Sequence, residues 1–112
     1  MKEFPEVLYR GNSAYTELEV WIGDLKYTFQ AGDVVSIGIK RFVGDKNYII
    51  NKDFEISHES SSMLISLTPE ETKNISPCNG VLEISMKYNQ DNDYKTIYQE
   101  KIELKEVVIH DS

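Results

Sequence analysis

The chain has little cysteine, proline or glycine and no long apolar run. Cys78 is its one cysteine among 112 residues, which excludes an internal disulfide and favours synthesis in a reducing compartment. Its three prolines and six glycines are too few for a fibrous or low-complexity chain. No stretch approaches the ~20 apolar residues of a membrane span, and residues 1–6 lack the apolar region of a signal peptide. We therefore expect synthesis in the cytoplasm without a signal peptide, and no membrane partner.

Basic residues are also scarce. Twelve Lys and Arg stand against nineteen Asp and Glu, so the net charge is -7. Lys40 and Arg41 form a pair and not a patch, and an acidic chain repels phosphate backbones. Nucleic acid is therefore not an expected partner. The length and the 40% apolar content fit one globular domain over residues 1–112.

Alternating apolar residues predict short β-strands along most of the chain. The predicted strands are residues 7–10, 14–22, 25–30, 34–42, 47–50, 54–58, 63–67, 81–89 and 95–109. Gly23-Asp24 predicts a two-residue hairpin, Asn79-Gly80 is expected to break the helical turn before the next strand, and the last strand is long enough to bend or carry a bulge. Strands of this spacing predict an antiparallel β-sandwich of about seven to nine strands.

One short helical turn is predicted near residues 69–75. Thr68 is placed to cap it, Pro69 suits the first helical position, and Glu71 completes a capping box. The strand before this turn and the strand after it then lie on opposite sheets of an immunoglobulin-like sandwich. We expect Leu67, Leu82 and Ile84 to share one core across this corner.

Neither a metal site nor an active site is predicted. The acidic loop that starts at Asn89 resembles a calcium loop, with Glu100 at the twelfth place, but Tyr94 occupies the position that requires glycine. Turn chemistry accounts for the same loop residues. His58, His110 and Cys78 have no ligand-like or catalytic spacing. We expect no enzyme activity, no metal and no cofactor.

The aromatic residues are the candidate contact residues. Trp21 shares a strand face with Tyr15, Glu17 and Glu19, opposite the predicted buried row of Thr16, Leu18, Val20 and Ile22. An outward Trp is typical of a partner contact or of stacking on a sugar ring, and an inward one of core packing. All three alternatives are open at this level.

The order of motifs resembles a known family of small immunoglobulin-like proteins. These are encoded in the tail and baseplate regions of phages and prophages of Gram-positive bacteria, and are similar to the N-terminal domain of baseplate upper proteins. The motifs that carry the resemblance are Arg10-Gly11-Asn12-Ser13, Ala31-Gly32-Asp33-Val34, Ile37-Gly38-Ile39-Lys40, Ile65-Ser66-Leu67-Thr68-Pro69-Glu70-Glu71-Thr72, Asn79-Gly80 and Glu106-Val107-Val108. The family often has aromatic residues after the last glycine, where this chain has Val81-Leu82-Glu83-Ile84.

The resemblance implies a non-enzymatic structural or adaptor component of a phage tail, baseplate or tail-like particle. Such a protein is made in the bacterial host cytoplasm and resides in the virion or particle. Its partners are other tail or baseplate proteins, with self-association as a homo-oligomer as a further option. The alternative is a carbohydrate-binding module that contacts the host cell wall, with Trp21, Tyr15, Tyr94 or Tyr98 as the stacking surfaces.

Overall fold

The computed structural model describes residues 7–73, 75–89 and 91–105. Strands dominate these residues, with a single turn of helix among them. The elements are β1 (Val7–Tyr9), β2 (Ala14–Leu18), β3 (Trp21–Ile22), β4 (Leu25–Lys26), β5 (Val34–Lys40), β6 (Ile50–Glu55), β7 (Met63–Leu67), α1 (Pro69–Thr72), β8 (Cys78–Lys87) and β9 (Lys95–Lys105). The prediction of an all-β fold with one short helical turn is confirmed.

The strands form one large sheet, one small sheet and a separate hairpin. The order in the large sheet is β1-β9-β8-β5-β6, while β2 pairs with β7 and β3 with β4. Every pairing is antiparallel except that of β1 with β9, which is parallel. Apolar side chains from the large and small sheets meet in one buried cluster, as in two layers of a sandwich.

The centre of the core lies on β5 and β8. Val35, Ile37 and Ile39 alternate along β5, and all three are completely buried. Leu82 and Ile84 of β8 lie in the same buried cluster as Leu67 of β7. The predicted core across the helical corner is therefore confirmed.

The corner itself follows the predicted capping chemistry. The side-chain oxygen of Thr68 accepts from the amide of Glu71 at 3.2 Å, and the Glu71 carboxylate accepts from the amide of Thr68 at 2.8 Å. The buried hydroxyl of Thr72 donates to the carbonyl of Asn12 at 2.8 Å. The helix is shorter than predicted and ends at Thr72, after which the chain enters the large sheet.

The predicted bulge in the last strand is also present. Ile84 pairs with Tyr98 while the next residue, Ser85, pairs with Thr96, so Ile97 is the extra residue. The strand was predicted to continue to residue 109, but residues 106–109 lie outside the described part of the chain.

Several predicted boundaries were wrong. The strand predicted at 14–22 is divided into β2 and β3, and that at 25–30 is reduced to β4 and one isolated bridge at Phe29. The strands predicted at 47–50 and 54–58 are replaced by the single strand β6, and β5 ends at Lys40. These differences arise because pairing partners, and not local alternation, determine where a ladder begins and ends.

Asn79-Gly80 is not a turn but lies inside β8. A side chain at Gly80 would place its Cβ 2.8 Å from the carbonyl oxygen of Lys40 on β5. Glycine is therefore required here because the neighbouring strand approaches closely, and not because a turn needs a positive φ.

Candidate interaction surface

The hairpin formed by β3 and β4 carries the tryptophan. Ile22 pairs with Leu25 and Trp21 with Lys26, so Gly23 and Asp24 form the predicted two-residue turn. Gly23 has a φ of 62°, and no residue other than glycine has a positive φ in the described chain. A positive φ at the first turn position alone is the pattern of a type II′ turn, which matches the twist of a hairpin.

The hairpin exposes three large apolar side chains. Trp21 is 53%, Ile22 57% and Leu25 76% exposed. We call these three residues the hairpin patch. The prediction that Ile22 belongs to the buried row was wrong, because β3 pairs only with β4 among the described residues and leaves the core behind Val20.

Glu19 forms an ion pair at the base of the hairpin. Its carboxylate lies 3.0 Å from the ammonium group of Lys26 and close to the side chain of Trp21. These contacts, chiefly that with Lys26, lower the pKa of Glu19. The carbonyl of Val20 accepts from the amide of Tyr27 at 2.7 Å, which joins the two arms of the hairpin at its base. A charged pair thus lies beside the indole at the base of the hairpin.

A shallow groove of about 380 Å³ adjoins Trp21. Leu18 and Val20 contribute buried side chains to it, and Tyr98 of β9 and Tyr88, which follows β8, also line it. The hydroxyl of Tyr98 donates to the carboxylate of Glu100. The groove therefore joins an apolar floor to aromatic walls that carry polar hydroxyl groups.

Tyr15 and Glu17 lie on the outer face of β2, where they pair across the strands with Ser66 and Leu64. Tyr15 is 70% exposed and Glu17 is exposed, in agreement with the predicted face. The structure thus divides the predicted contact residues into two parts: Trp21 lies on the hairpin with Glu19 at its base, whereas Tyr15 and Glu17 belong to the small sheet. Sequence reasoning missed Ile22 and Leu25.

The residues considered for metal binding or catalysis are dispersed. In the described ranges, no group of three or more His, Cys, Asp or Glu is arranged to hold a metal ion. The ring of His58 lies 3.1 Å from the hydroxyl of its neighbour Ser57, while Cys78 is half-buried on β8. His110 lies outside the described residues. The expected absence of metal and of enzyme activity stays a prediction.

No family model, curated protein or solved structure matches this chain. Within the part of the chain that the structure describes, no helix is long and apolar enough to cross a membrane.

Proposed function

We propose that this protein is a non-enzymatic structural or adaptor component of a phage tail, baseplate or tail-like particle, and that it acts through protein contacts. The observation that carries the proposal is the hairpin patch, in which Trp21, Ile22 and Leu25 are all more than half exposed. The hairpin thus carries large exposed apolar side chains on both of its faces, Trp21 on one and Ile22 and Leu25 on the other. Exposed apolar side chains grouped in this way mark interaction sites, and Trp is enriched among residues that dominate binding energy.

The topology supports the immunoglobulin-like part of the proposal. The order β9-β8-β5 corresponds to the G-F-C sheet of an immunoglobulin domain, with β6 in the place of the additional C′ strand. The pair β2-β7 corresponds to strands B and E, and α1 occupies the corner between E and F. Because fold alone does not define function, the tail assignment depends also on the resemblance in sequence.

Charge narrows the chemistry of the partner. Asp24 at the hairpin tip and Glu17 on the neighbouring strand are exposed carboxylates, and neither forms an ion pair within the described residues. The chain as a whole carries a net charge of -7. We infer that the hairpin patch docks on an apolar surface with a basic rim, since complementary charge speeds association and excludes wrong partners.

The test is incorporation of variants into purified particles. Trp21→Ser and Leu25→Ser should reduce incorporation, measured by quantitative mass spectrometry, because they remove exposed anchors and no core side chain. Phe42→Ser is the matched control, since Phe42 is 66% exposed and lies outside the hairpin patch. Thermal melts of all three variants should remain near that of the parent protein. Normal incorporation of both hairpin variants would refute the proposed contact.

Carbohydrate binding is a second candidate, favoured by the half-exposed indole beside a groove that Tyr88 and Tyr98 line. An aromatic face with nearby hydroxyl groups suits a sugar ring. Trp21 is the one tryptophan of the chain, so its fluorescence reports directly on this groove. Titration with purified Gram-positive cell-wall polysaccharide should change the emission if sugar stacks there. Unchanged emission at saturating polysaccharide would exclude this candidate.

A further inference from the structure

A second groove, of about 510 Å³, lies where β6 and β7 face each other, along the edge of β7 that does not pair with β2. It is lined by residues 53–58 on one side and by Ser60 and residues 62–64 on the other. The connection between β6 and β7 contains no further strand, so no described strand covers the outer edge of either one. In immunoglobulin constant-type domains, a strand D comes before E in the chain and lies beside it at the edge of the ABED sheet.

The backbone of β6 offers hydrogen bonds along this outer edge. The amide of Ile56 donates to the carbonyl of Asp33 at 2.8 Å, so Ile56 turns its polar backbone groups toward β5. Because these groups alternate along a strand, the backbone amide and carbonyl groups of Asp53 and Glu55 point away from β5, toward solvent. They have no backbone partner among the described residues, and they form the open part of the edge.

At both ends of the facing edge of β7, side chains form hydrogen bonds with the backbone groups. The ammonium group of Lys52 donates to the carbonyl of Ser66 at 2.9 Å. At the other end, the hydroxyl of Ser60 donates to the carbonyl of Ser62 at 2.5 Å and accepts from its amide at 3.3 Å. Side chains that occupy edge groups in this way oppose the addition of a strand. An incoming strand therefore has β6, and not β7, as its partner.

The side chains of β6 and its extension alternate in chemistry. Asp53 and Glu55 are exposed on the outer face and form no ion pair within the described residues. Phe54 and Ile56 are half-buried against the core and line the groove together with Met63. A strand added beside β6 would place one row of side chains near the two carboxylates and the other row over this apolar floor.

We propose that the outer edge of β6 accepts an extended segment of another protein, in which basic and apolar residues alternate, as a sixth strand of the large sheet. The basic side chains pair with Asp53 and Glu55, and the apolar ones enter the groove. This proposal rests on the proposed function, because it supplies a second docking site for a neighbour in the same particle.

A second copy of the chain is a poor occupant for the same edge. Antiparallel pairing of two β6 strands about a two-fold axis keeps inward residues opposite inward residues. The central registers then place Asp53 against its own copy or against Glu55, or Lys52 against its own copy. Like charges directly opposite each other destabilise a strand pair.

The experiment uses the intact protein and an acetylated, amidated hexapeptide of alternating Lys and Val. A hexapeptide of alternating Glu and Val is the charge control. Nuclear magnetic resonance titration should show that the Lys-Val peptide binds at least about tenfold more tightly than the Glu-Val peptide. The amide signals of Asn51, Asp53 and Glu55 should shift on binding. Absence of binding, or shifts confined to other strands, would overturn the proposal.

Charge reversal separates this edge from the rest of the acidic surface. Asp53→Lys with Glu55→Lys should invert the preference between the two peptides. The matched control, Glu17→Lys with Asp24→Lys, makes the same change in charge elsewhere and should keep the parent preference. If both double variants weaken Lys-Val binding equally, only diffuse attraction to an acidic protein remains and the proposal fails.

A Lys-Val peptide with every second amide N-methylated keeps its charge but lacks donors for the strand edge. With the unaltered protein, it should bind at least about tenfold more weakly than its parent peptide, and equal affinity would contradict strand addition. The two proposals can fail separately. Absence of peptide binding refutes strand addition at β6 and leaves the incorporation experiment with the Trp21 and Leu25 variants unaffected. Normal incorporation of those variants refutes only the hairpin contact.

Discussion

The amide of Asn89 donates to the carboxylate of Asp33 at 2.9 Å, which joins two turns that lie 56 residues apart in the sequence. Asp33 is completely buried. Its other oxygen accepts from the amide of Gln30 at 2.9 Å and from the hydroxyl of Tyr27 at 2.7 Å. Three donors thus compensate the burial of one charge, which would otherwise be costly.

Replacing Asp33 by Asn should destabilise the fold by about 1–3 kcal/mol, because one acceptor oxygen becomes a donor that faces other donors. Urea denaturation measures the loss. Asp24→Asn, at the exposed hairpin tip, is the control and should leave the midpoint nearly unchanged. Equal midpoints for the Asp33 variant and the parent protein would contradict the role assigned to this carboxylate.

Tyr27 should make stability fall in alkaline solution. Burial raises its pKa above the ordinary value, and the hydrogen bond to Asp33 and the charge of Asp33 add to the effect. A raised folded pKa means that the contribution of the phenol is complete below its unfolded pKa, about 10, and is lost as the pH rises beyond it. Denaturation midpoints from pH 8 to 11 should therefore decline less steeply for Tyr27→Phe than for the parent protein.

The fold was predictable where local chemistry and tertiary packing agree. The rows of β5 and β8, the capping box at Thr68 and Glu71, and the Gly23-Asp24 turn each follow from neighbouring residues and appear as predicted. Asn79-Gly80 shows the limit of this reasoning. Its glycine is required by the carbonyl of Lys40, about forty residues away in sequence, and no local pattern indicates that contact.

The alternation of side chains along the strand also predicted that Trp21 faces away from the core. It did not predict the hairpin patch as a whole. Alternation placed Ile22 with the buried row. A side chain on that face is buried only where a second sheet lies beneath the strand. The edge of β6 was equally hidden from sequence reasoning. Its open backbone groups depend on which strand pairs with β5, and this is a property of topology.

Thr68→Ala should destabilise the protein by about 1 kcal/mol, because the first turn of α1 loses the acceptor for the amide of Glu71. Denaturation by urea gives the difference. Thr96→Ala is the control, since its exposed hydroxyl lies 3.5 Å from that of Ser85 and caps no helix. An equal loss in both variants would show that a cap is not what Thr68 contributes.

Leu82→Ala should cost about 2 to 5 kcal/mol, because the side chain is 1% exposed and its removal leaves a cavity in the shared core. Leu64→Ala is the matched control for stability, since Leu64 is 59% exposed. It should change the free energy of unfolding by less than about 0.5 kcal/mol. A Leu82 variant as stable as the Leu64 variant would remove Leu82 from the core.

The fluorescence of Trp21 should report the protonation of Glu19. Lys26, first of all, lowers the pKa of Glu19, and the Trp21 side chain adds a smaller effect of the same sign. The carboxylate therefore stays charged at the usual carboxyl pKa of about 4.3 and loses its charge only at lower pH. Protonation removes the negative charge beside the indole, so the emission should change in this acidic range while far-ultraviolet circular dichroism still shows the folded sheet.

Glu19→Gln should abolish that acidic transition, since an amide does not titrate. Glu17→Gln is the control: Glu17 lies outside the contacts of the indole and its loss should leave the transition in place. If the transition survives in the Glu19 variant, another carboxyl group controls Trp21. If it occurs near the ordinary carboxyl pKa in the parent protein, Lys26 and Trp21 do not stabilise the charged form of Glu19. Either result would contradict the interaction assigned to Glu19 beside Trp21.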